Sequence, residues 1–303
     1  MVAERVPVQT ARSPLAGGPR RGRDRRRGEH GPLRRLGTVL VWLLAAFNIV
    51  VLLWMFLAAL RDHTAIFRSP WGLDTFGQFG NFVKAWTDSN FGQAALNTVL
   101  LVVGASVVVV LLSAPASYVL AKSRSRMSGA MAVFFAMGIG IPVQVIIIPL
   151  FVMMQEVHLV NTLTGLFVLY VALSVPFTVF LLSGFFGSLP EELEEAAAID
   201  GAGAIRTFVQ IVLPLARNGL LTALILNLIG LWNETFIALV FIQDSAKQTL
   251  SLSLLGFLQT QQYSGADYGT LFAGVCILVL PMLALYLWLG RRIIEGMTVG
   301  AVK

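Results

Sequence analysis

Cysteine, histidine and charge are the scarce materials of this 303-residue chain, which has one Cys, three His and only 13% Asp, Glu, Lys and Arg. A single cysteine, Cys276, excludes a disulfide framework, and its place in an apolar run suits a small packing residue. His30, His63 and His158 stand in separate polar segments with no second ligand at metal spacing, so no metal site is read from them. Nowhere does Gly directly precede Lys, which removes the glycine-rich phosphate loop and with it that way of cradling ATP. No nucleophile–base constellation and no paired catalytic carboxylates fall in a segment suited to a soluble cleft. Enzymatic chemistry in the chain alone is not expected.

What is abundant is apolar. The chain is 56% hydrophobic with a mean hydropathy of +0.78, outside the composition of a soluble globular domain. Six apolar runs lie at about residues 36–60, 95–121, 131–154, 162–183, 220–242 and 271–290, each near the roughly 20 residues a helix needs to cross a bilayer. Continuous apolar character argues against barrel strands, which alternate over segments of about 10 residues. The expected fold is an all-α membrane protein with six transmembrane helices.

Lysine and arginine set the orientation, because cationic loops stay cytoplasmic. With both termini on one side, that side carries 18 of these residues and the other 4. Without the N-terminal tail the balance is still 8 against 4, so both termini are expected in the cytoplasm. Residues 1–35 are a separate, Arg-, Gly- and Pro-rich unit containing Arg20-Arg21-Gly22-Arg23-Asp24-Arg25-Arg26-Arg27, expected to be disordered. Beside a span, such a tail fixes topology and touches anionic lipid. A nucleic-acid arm is the less economical reading, and no nucleic-acid partner is expected. The apolar run that follows spans 25 residues, too long for the roughly 7 to 15 of a cleaved signal, so it reads as an uncleaved first helix.

The loop 184–219 follows the fourth span and therefore shares the side of the termini. It reads as two short helices. Ser188, Leu189, Pro190 and Glu191 form a candidate capping box, with Ser188 as N-cap and Glu191 reaching back. Glu191, Glu192, Glu194 and Glu195 complement the positive end of the helix dipole, and Gly201 can take the left-handed geometry that stops the helix after Asp200. Leu193, Ala196, Ala197 and Asp200 share a face whose alanines let another backbone approach closely. Beyond the glycine corner, Ile205, Phe208, Val209 and Val212 repeat as an amphipathic stripe that Pro214 is expected to break. The competing reading lays this pair on the bilayer, where its four glutamates would meet anionic lipid.

The spacing Glu-Ala-Ala, three residues, Gly, nine residues, Ile-x-Leu-Pro is met at Glu195, Ala196, Ala197, Gly201, Ile211, Leu213 and Pro214. It resembles the permease subunits of binding-protein-dependent ABC importers. In that family the motif forms a coupling helix seated in a groove of a separate ATPase. The resemblance covers about residues 36–303 and is closest in kind to the second permease subunit of maltose-type carbohydrate importers. That narrower likeness rests on Ala95-Leu96-Asn97-Thr98, on Leu231-Trp232-Asn233-Glu234-Thr235-Phe236 and on the ending Gly296-Met297-Thr298-Val299-Gly300-Ala301-Val302-Lys303. The family's usual Asn-Glu-Phe is interrupted here by Thr235.

The resemblance implies a type I importer permease domain over 36–303, in the plasma membrane of a prokaryote. It implies ATPase-coupling roles for Glu195, Ala196, Ala197, Asp200, Gly201, Ile211, Leu213 and Pro214. The implied partners are a second permease in a heterodimer, two ATPase subunits, an extracytoplasmic solute-binding protein, membrane lipid and a sugar or sugar derivative as cargo. No cofactor belongs to this chain; ATP and Mg would be bound by the ATPases.

A transport path needs polar groups within apolar spans, where they are expensive. Asn97, Gln144, Asn227, Asn233 and Glu234 qualify, and Gln144, Asn227, Asn233 and Glu234 are retained as candidate path residues. An ionised Glu234 at mid-membrane would cost on the order of 2.5 to 3.5 kcal/mol and so should face helices or water. Amides between helices also simply join a bundle, and that alternative stays open. Gly138, Gly140, Pro142 and Pro149 are expected to kink the third span, Pro176 the fourth and Pro281 the sixth. The outer segment 61–93, with Phe67, Trp71, Phe76, Phe79, Phe82, Trp86 and Phe91, suits a membrane interface or a binding-protein dock. Three rivals to a sugar importer remain: a permease for a non-sugar solute, a proton-coupled transporter using Glu234, and a scaffold whose loop recruits a soluble protein.

Overall fold

The computed structural model describes residues 32–72, 76–88, 90–264 and 267–299. Most of the basic tail lies outside them. Its last residues depart from the expected disorder, because α1 (Pro32–Ala59) opens on Pro32, where a missing N–H leaves no bond unmade. Contacts divide the chain into residues 1–50 and 51–303, and everything after α1 belongs to the second unit.

Two short helices follow α1: α2 (His63–Arg68), capped by the Asp62 side chain accepting from the Thr64 N–H, and α3 (Gly80–Asp88). Then comes α4 (Phe91–Lys122), followed by α5 (Arg126–Gly140), α6 (Val143–Glu156) and α7 (Leu163–Gly187). A corner of α8 (Glu192–Ile199), α9 (Ala204–Thr207), a π-helical turn (Phe208–Val212) and α10 (Leu213–Leu215) leads into α11 (Arg217–Trp232). The chain closes with α12 (Phe236–Phe241), α13 (Leu250–Ser264) and α14 (Tyr268–Val299).

Among the described residues, four stretches are long and apolar enough to cross a membrane singly: Leu36–Ala59, Phe91–Lys122, Leu163–Gly187 and Tyr268–Trp288. Counting each of two bent helix pairs as one span brings the total to six.

The third run is broken, not merely kinked: α5 and α6 meet at 100°. Pro142 disfavours helical geometry in the residue before it, and Ile141 sits at φ −91, ψ 112. Pro149, Pro176 and Pro281, by contrast, each stand inside one helix. The fifth run, expected to be continuous over 220–242, is interrupted at Asn233, Glu234 and Thr235 between α11 and α12. The segment between the fifth and sixth apolar runs contains α13, whose residues 250–254 are all buried, as is Phe257.

Three larger cores and a smaller one around Ile225 hold the described part of the second unit together. Leu101, Val102, Leu166, Tyr170, Ile237 and Phe241 join α4, α7 and α12. Phe91, Leu250, Phe257 and Cys276 join α4, α13 and α14. Leu182, Phe185, Phe186, Val212 and Ala223 pack α7 against the entry to α11. There, a Cβ on Gly219 would lie 2.6 Å from the Phe185 ring, so the close approach of α11 to α7 requires glycine.

Candidate functional site

The loop 184–219 forms a helical corner, but its start differs from the expected capping box. Ser188 closes α7 instead of opening α8: it sits at φ −83, ψ −11, and its hydroxyl donates back to the Phe185 carbonyl at 2.7 Å. An N-cap needs extended geometry, which Ser188 does not have. Helix α8 begins at Glu192 after Glu191, whose side chain makes no capping bond. The Glu191 carboxylate accepts two hydrogen bonds from Arg124 instead, at 3.0 and 3.1 Å. Glu192, Glu194 and Glu195 remain in the first turn, where they meet the exposed N–H groups of the helix.

The end of α8 follows the expected stop. Gly201 takes φ +74, the Ala202 N–H donates to the Ala197 carbonyl at 2.9 Å, and the Gly201 N–H donates to Ala198 at 3.1 Å. This paired closure satisfies carbonyls that a helix end leaves open. After the corner, Pro214 does not break the second helix. The turn before it widens to π geometry, with the Leu213 N–H reaching back to the Phe208 carbonyl, and the bend falls at Ala216. Proline lacks an N–H and its ring crowds the carbonyl four residues back, and the wider turn relieves that crowding. The two arms, Ala204–Leu215 and Arg217–Trp232, meet at 73°.

The structure sorts the motif residues into two groups. Glu195, Ala196, Asp200, Gly201 and Pro214 are exposed, whereas Ala197 is buried and Ile211 and Leu213 are half-buried. The apolar stripe divides likewise. Val212 is buried and Phe208 packs with it against α7, while Ile199 and Ile205 are 87% and 81% exposed and Val209 also faces outward. Gly203, Ala204, Ile205, Arg206, Val209 and Gln210 line an open depression beside them. One face of the corner is thus anchored in the bundle, and the other offers bare aliphatic groups beside a negative helix start. Exposed apolar patches of this kind mark a contact with another protein or with a membrane.

The polar residues of the spans are placed separately. Glu234, in the break between α11 and α12, accepts from the Ile237 N–H at 2.6 Å, the Ala238 N–H at 3.2 Å and the Tyr170 hydroxyl at 2.9 Å. Its carboxylate therefore closes the N-terminus of α12 and ties it to α7. Asn227 is buried and donates to Thr178 Oγ and to the Ala223 carbonyl, both at 2.9 Å, which joins α11 to α7. Asn233 is exposed and donates to the Ile229 carbonyl of its own helix, and Gln144 lies exposed at the start of α6. Neither the depression beside Ile205 nor the cavity lined by Val99, Trp232 and Met282 includes any of these four.

Residues other than the retained path candidates carry much of the arrangement. Asn161, at φ +57, accepts from the Gln243 and Asp244 N–H groups, and its own N–H donates to the Phe241 carbonyl, closing the far end of α12. Asn97 donates to the Ala246 and Gln248 carbonyls, both at 3.0 Å, and Thr98 Oγ accepts from the Leu250 N–H at 2.7 Å. Tyr170 could have been flagged as a polar tip in an apolar run; Asn161 shows only as an Asn between two runs.

Residues 113–295 match the family described as the binding-protein-dependent transport system inner membrane component. The chain is 38% identical over 275 residues to the diacetylchitobiose uptake system permease protein NgcG of Streptomyces coelicolor, covering 89% of this chain and 90% of that protein. It is 31% identical over 273 residues to the melibiose/raffinose/stachyose import permease protein MelC of Bacillus subtilis, covering 89% and 96%. Among solved structures, a bacterial ABC transporter involved in import of the acidic polysaccharide alginate has a chain that superposes with a TM-score of 0.71 at 22% identity, covering 85% of this chain and 96% of that one. That likeness speaks to the fold.

Proposed function

This chain belongs to the family of binding-protein-dependent transport system inner membrane components, and on that footing we propose that it couples ATPase closure to sugar passage through the corner 188–214. It is a multi-pass membrane permease, not an enzyme, and its transport is driven by separate ATPases. The cargo we assign is a sugar or sugar derivative, in keeping with the relatives whose names specify sugars. Its partners would be a second permease, two ATPase subunits and an extracytoplasmic solute-binding protein, with the termini and the corner on the cytoplasmic side.

The observation that carries the coupling reading is the division of one motif into an anchored and an exposed half. Leu213, with its neighbours Phe208 and Val212, holds the second arm against α7 and α11, while Glu195, Ala196, Asp200 and Gly201 present the capped end of α8 outward. A load applied to α8 then reaches the spans through α10 and α11. For the path we retain Asn227, Asn233, Glu234 and Gln144 as candidates, with the exposed Asn233 and Gln144 the better placed to meet hydroxyl groups. The proton-coupled alternative is disfavoured by the three donors that converge on Glu234, since they already tie its side chain to α7 and to the start of α12.

Reconstituted vesicles test the reading. Uptake of diacetylchitobiose or raffinose should need ATP inside and the cognate binding protein outside. Uptake of either by a proton gradient alone would overturn it, and uptake of only non-sugar solutes would remove the sugar assignment while leaving the coupling.

A further inference from the structure

Helix α4 is attached at both ends by side chains that grip other elements. At one end Lys122, its last residue, donates to the Leu189 carbonyl at 2.8 Å, in the turn between α7 and α8, and lies 3.4 Å from the Glu194 carboxylate of α8. The Lys122 side chain is only 11% exposed and that of Glu194 29%. A neighbouring pair, Arg124 and Glu191, is far more open at 85% and 63%, and water and salt screen it. One turn below Lys122, the Tyr118 ring packs on Phe186 of α7 and on Phe208. The junction thus brings together α4, the end of α7, α8 and the π turn.

At the opposite end of α4, Asn97 and Thr98 hold the backbone of residues 246–250, the connection between α12 and α13. Between Asn97 and Lys122 α4 stays helical for about 26 residues, or roughly 38 Å at the α-helical rise. Ser117 Oγ adds a cross-link to the Val179 carbonyl of α7 at 3.1 Å. Pro115 removes one backbone bond from this stretch without ending the helix, so displacement at α8 is carried toward 246–250 while both pins hold.

We infer that Lys122 is the positioning residue that joins α8 to α4, and that α4 is a rod carrying movement of the coupling corner to the segment 245–250 on the other side of the bundle. The inference rests on the coupling role proposed above for the corner. It assigns a second route beside the covalent one through α10 and α11, made of one lysine, one carbonyl and one carboxylate. Charge alone is not the point: the ammonium group has donors enough to hold the Leu189 carbonyl and Glu194 at once.

Hydrogen exchange on the assembled importer tests it, comparing segment 245–250 before and after the ATPases are trapped with ATP and vanadate. In the wild-type complex the trap should change exchange at 245–250. Lys122→Met should reduce that change roughly 5-fold or more, in the range of ordinary coupling factors, with ATPase copurification retained. Lys122→Arg should keep most of it, and Glu194→Gln, which leaves the Leu189 bond in place, gives a milder variant if Lys122→Met assembles poorly. A wild-type response in both Lys122→Met and Glu194→Gln, or in Glu194→Gln alone where Lys122→Met fails to assemble, overturns the rod. Failure of the wild-type chain to retain ATPases would overturn the coupling reading itself, so the two failures are distinct.

Discussion

The Tyr170 hydroxyl donates a 2.9 Å hydrogen bond to Glu234, across the 64 residues that separate α7 from the break before α12. The same carboxylate receives the first free N–H groups of α12, so one side chain sets both the start of a six-residue helix and its attachment to a span. Polar groups inside a bundle are held by hydrogen bonds, and here backbone and phenol supply the donors.

Removing the phenol hydroxyl with Tyr170→Phe should destabilise the protein by roughly 1 to 3 kcal/mol, the range for a lost bond to a charged partner. Glu234→Gln should do the same or worse, because an amide N–H₂ then confronts donors. Thermal unfolding of the purified complex measures both. ATP-driven uptake that survives Glu234→Gln would also dispose of Glu234 as a proton carrier.

Gly201 stands at φ +74, and any residue with a Cβ is strained there by about 1 to 2 kcal/mol. Nothing lies within 4 Å of the position a Cβ would occupy, so Gly201→Ala should carry only that strain and leave the spans inserted. Gly201→Asp and Glu195→Lys should weaken ATPase copurification and transport, since both alter the exposed half of the corner. Unchanged copurification and transport in both would refute the coupling role.

At Gly219 the difficulty is space. A Cβ would press on the Phe185 ring at 2.6 to 3.0 Å, so Gly219→Ala should cost about 1 to 3 kcal/mol by overpacking. Adding Phe185→Leu should recover part of the loss, and a double-mutant cycle on unfolding midpoints measures the recovery.

Asp244 lies outside the spans, where the Ala246 N–H and then Lys247 hold its carboxyl below the ordinary carboxylate range. A carboxyl depressed in the folded state adds stability above its unfolded value, near 3.9, and loses it as pH falls through the folded value. Exchange at 245–248, corrected for intrinsic rates, should therefore quicken as pH drops below about 4. Asp244→Asn should already show the quicker exchange at neutral pH and little further change on acidification.

Apolar content located the spans, because a helix crossing a bilayer must be apolar for about 20 residues wherever it bends. Bends are a different property. Pro142 carried a readable reason for the break after Ile141, yet the run on either side stayed apolar and concealed the 100° angle. Asn233, Glu234 and Thr235 also interrupt an apolar run, and their side chains end one helix and begin another. The Ser188–Glu191 box failed for a tertiary reason: α7 captured the serine and Arg124 captured the glutamate. Lys122 was counted only for topology, because a lysine after an apolar run gives no sign of a carbonyl waiting across the bundle. The stop at Gly201 was legible because its partners, Ala197 and Ala198, are local.

The π turn at Phe208–Val212 fixes the rotational phase of everything on either side of it. It holds one residue more than the α turn it stands in for, so a one-residue deletion there would restore α geometry with little rotation of the arm that bears Ile205, whereas a deletion in a regular α turn would swing that arm by roughly 100° relative to α11. Within the nine residues between Gly201 and Ile211 the chain thus carries one that can be lost without re-aiming α8.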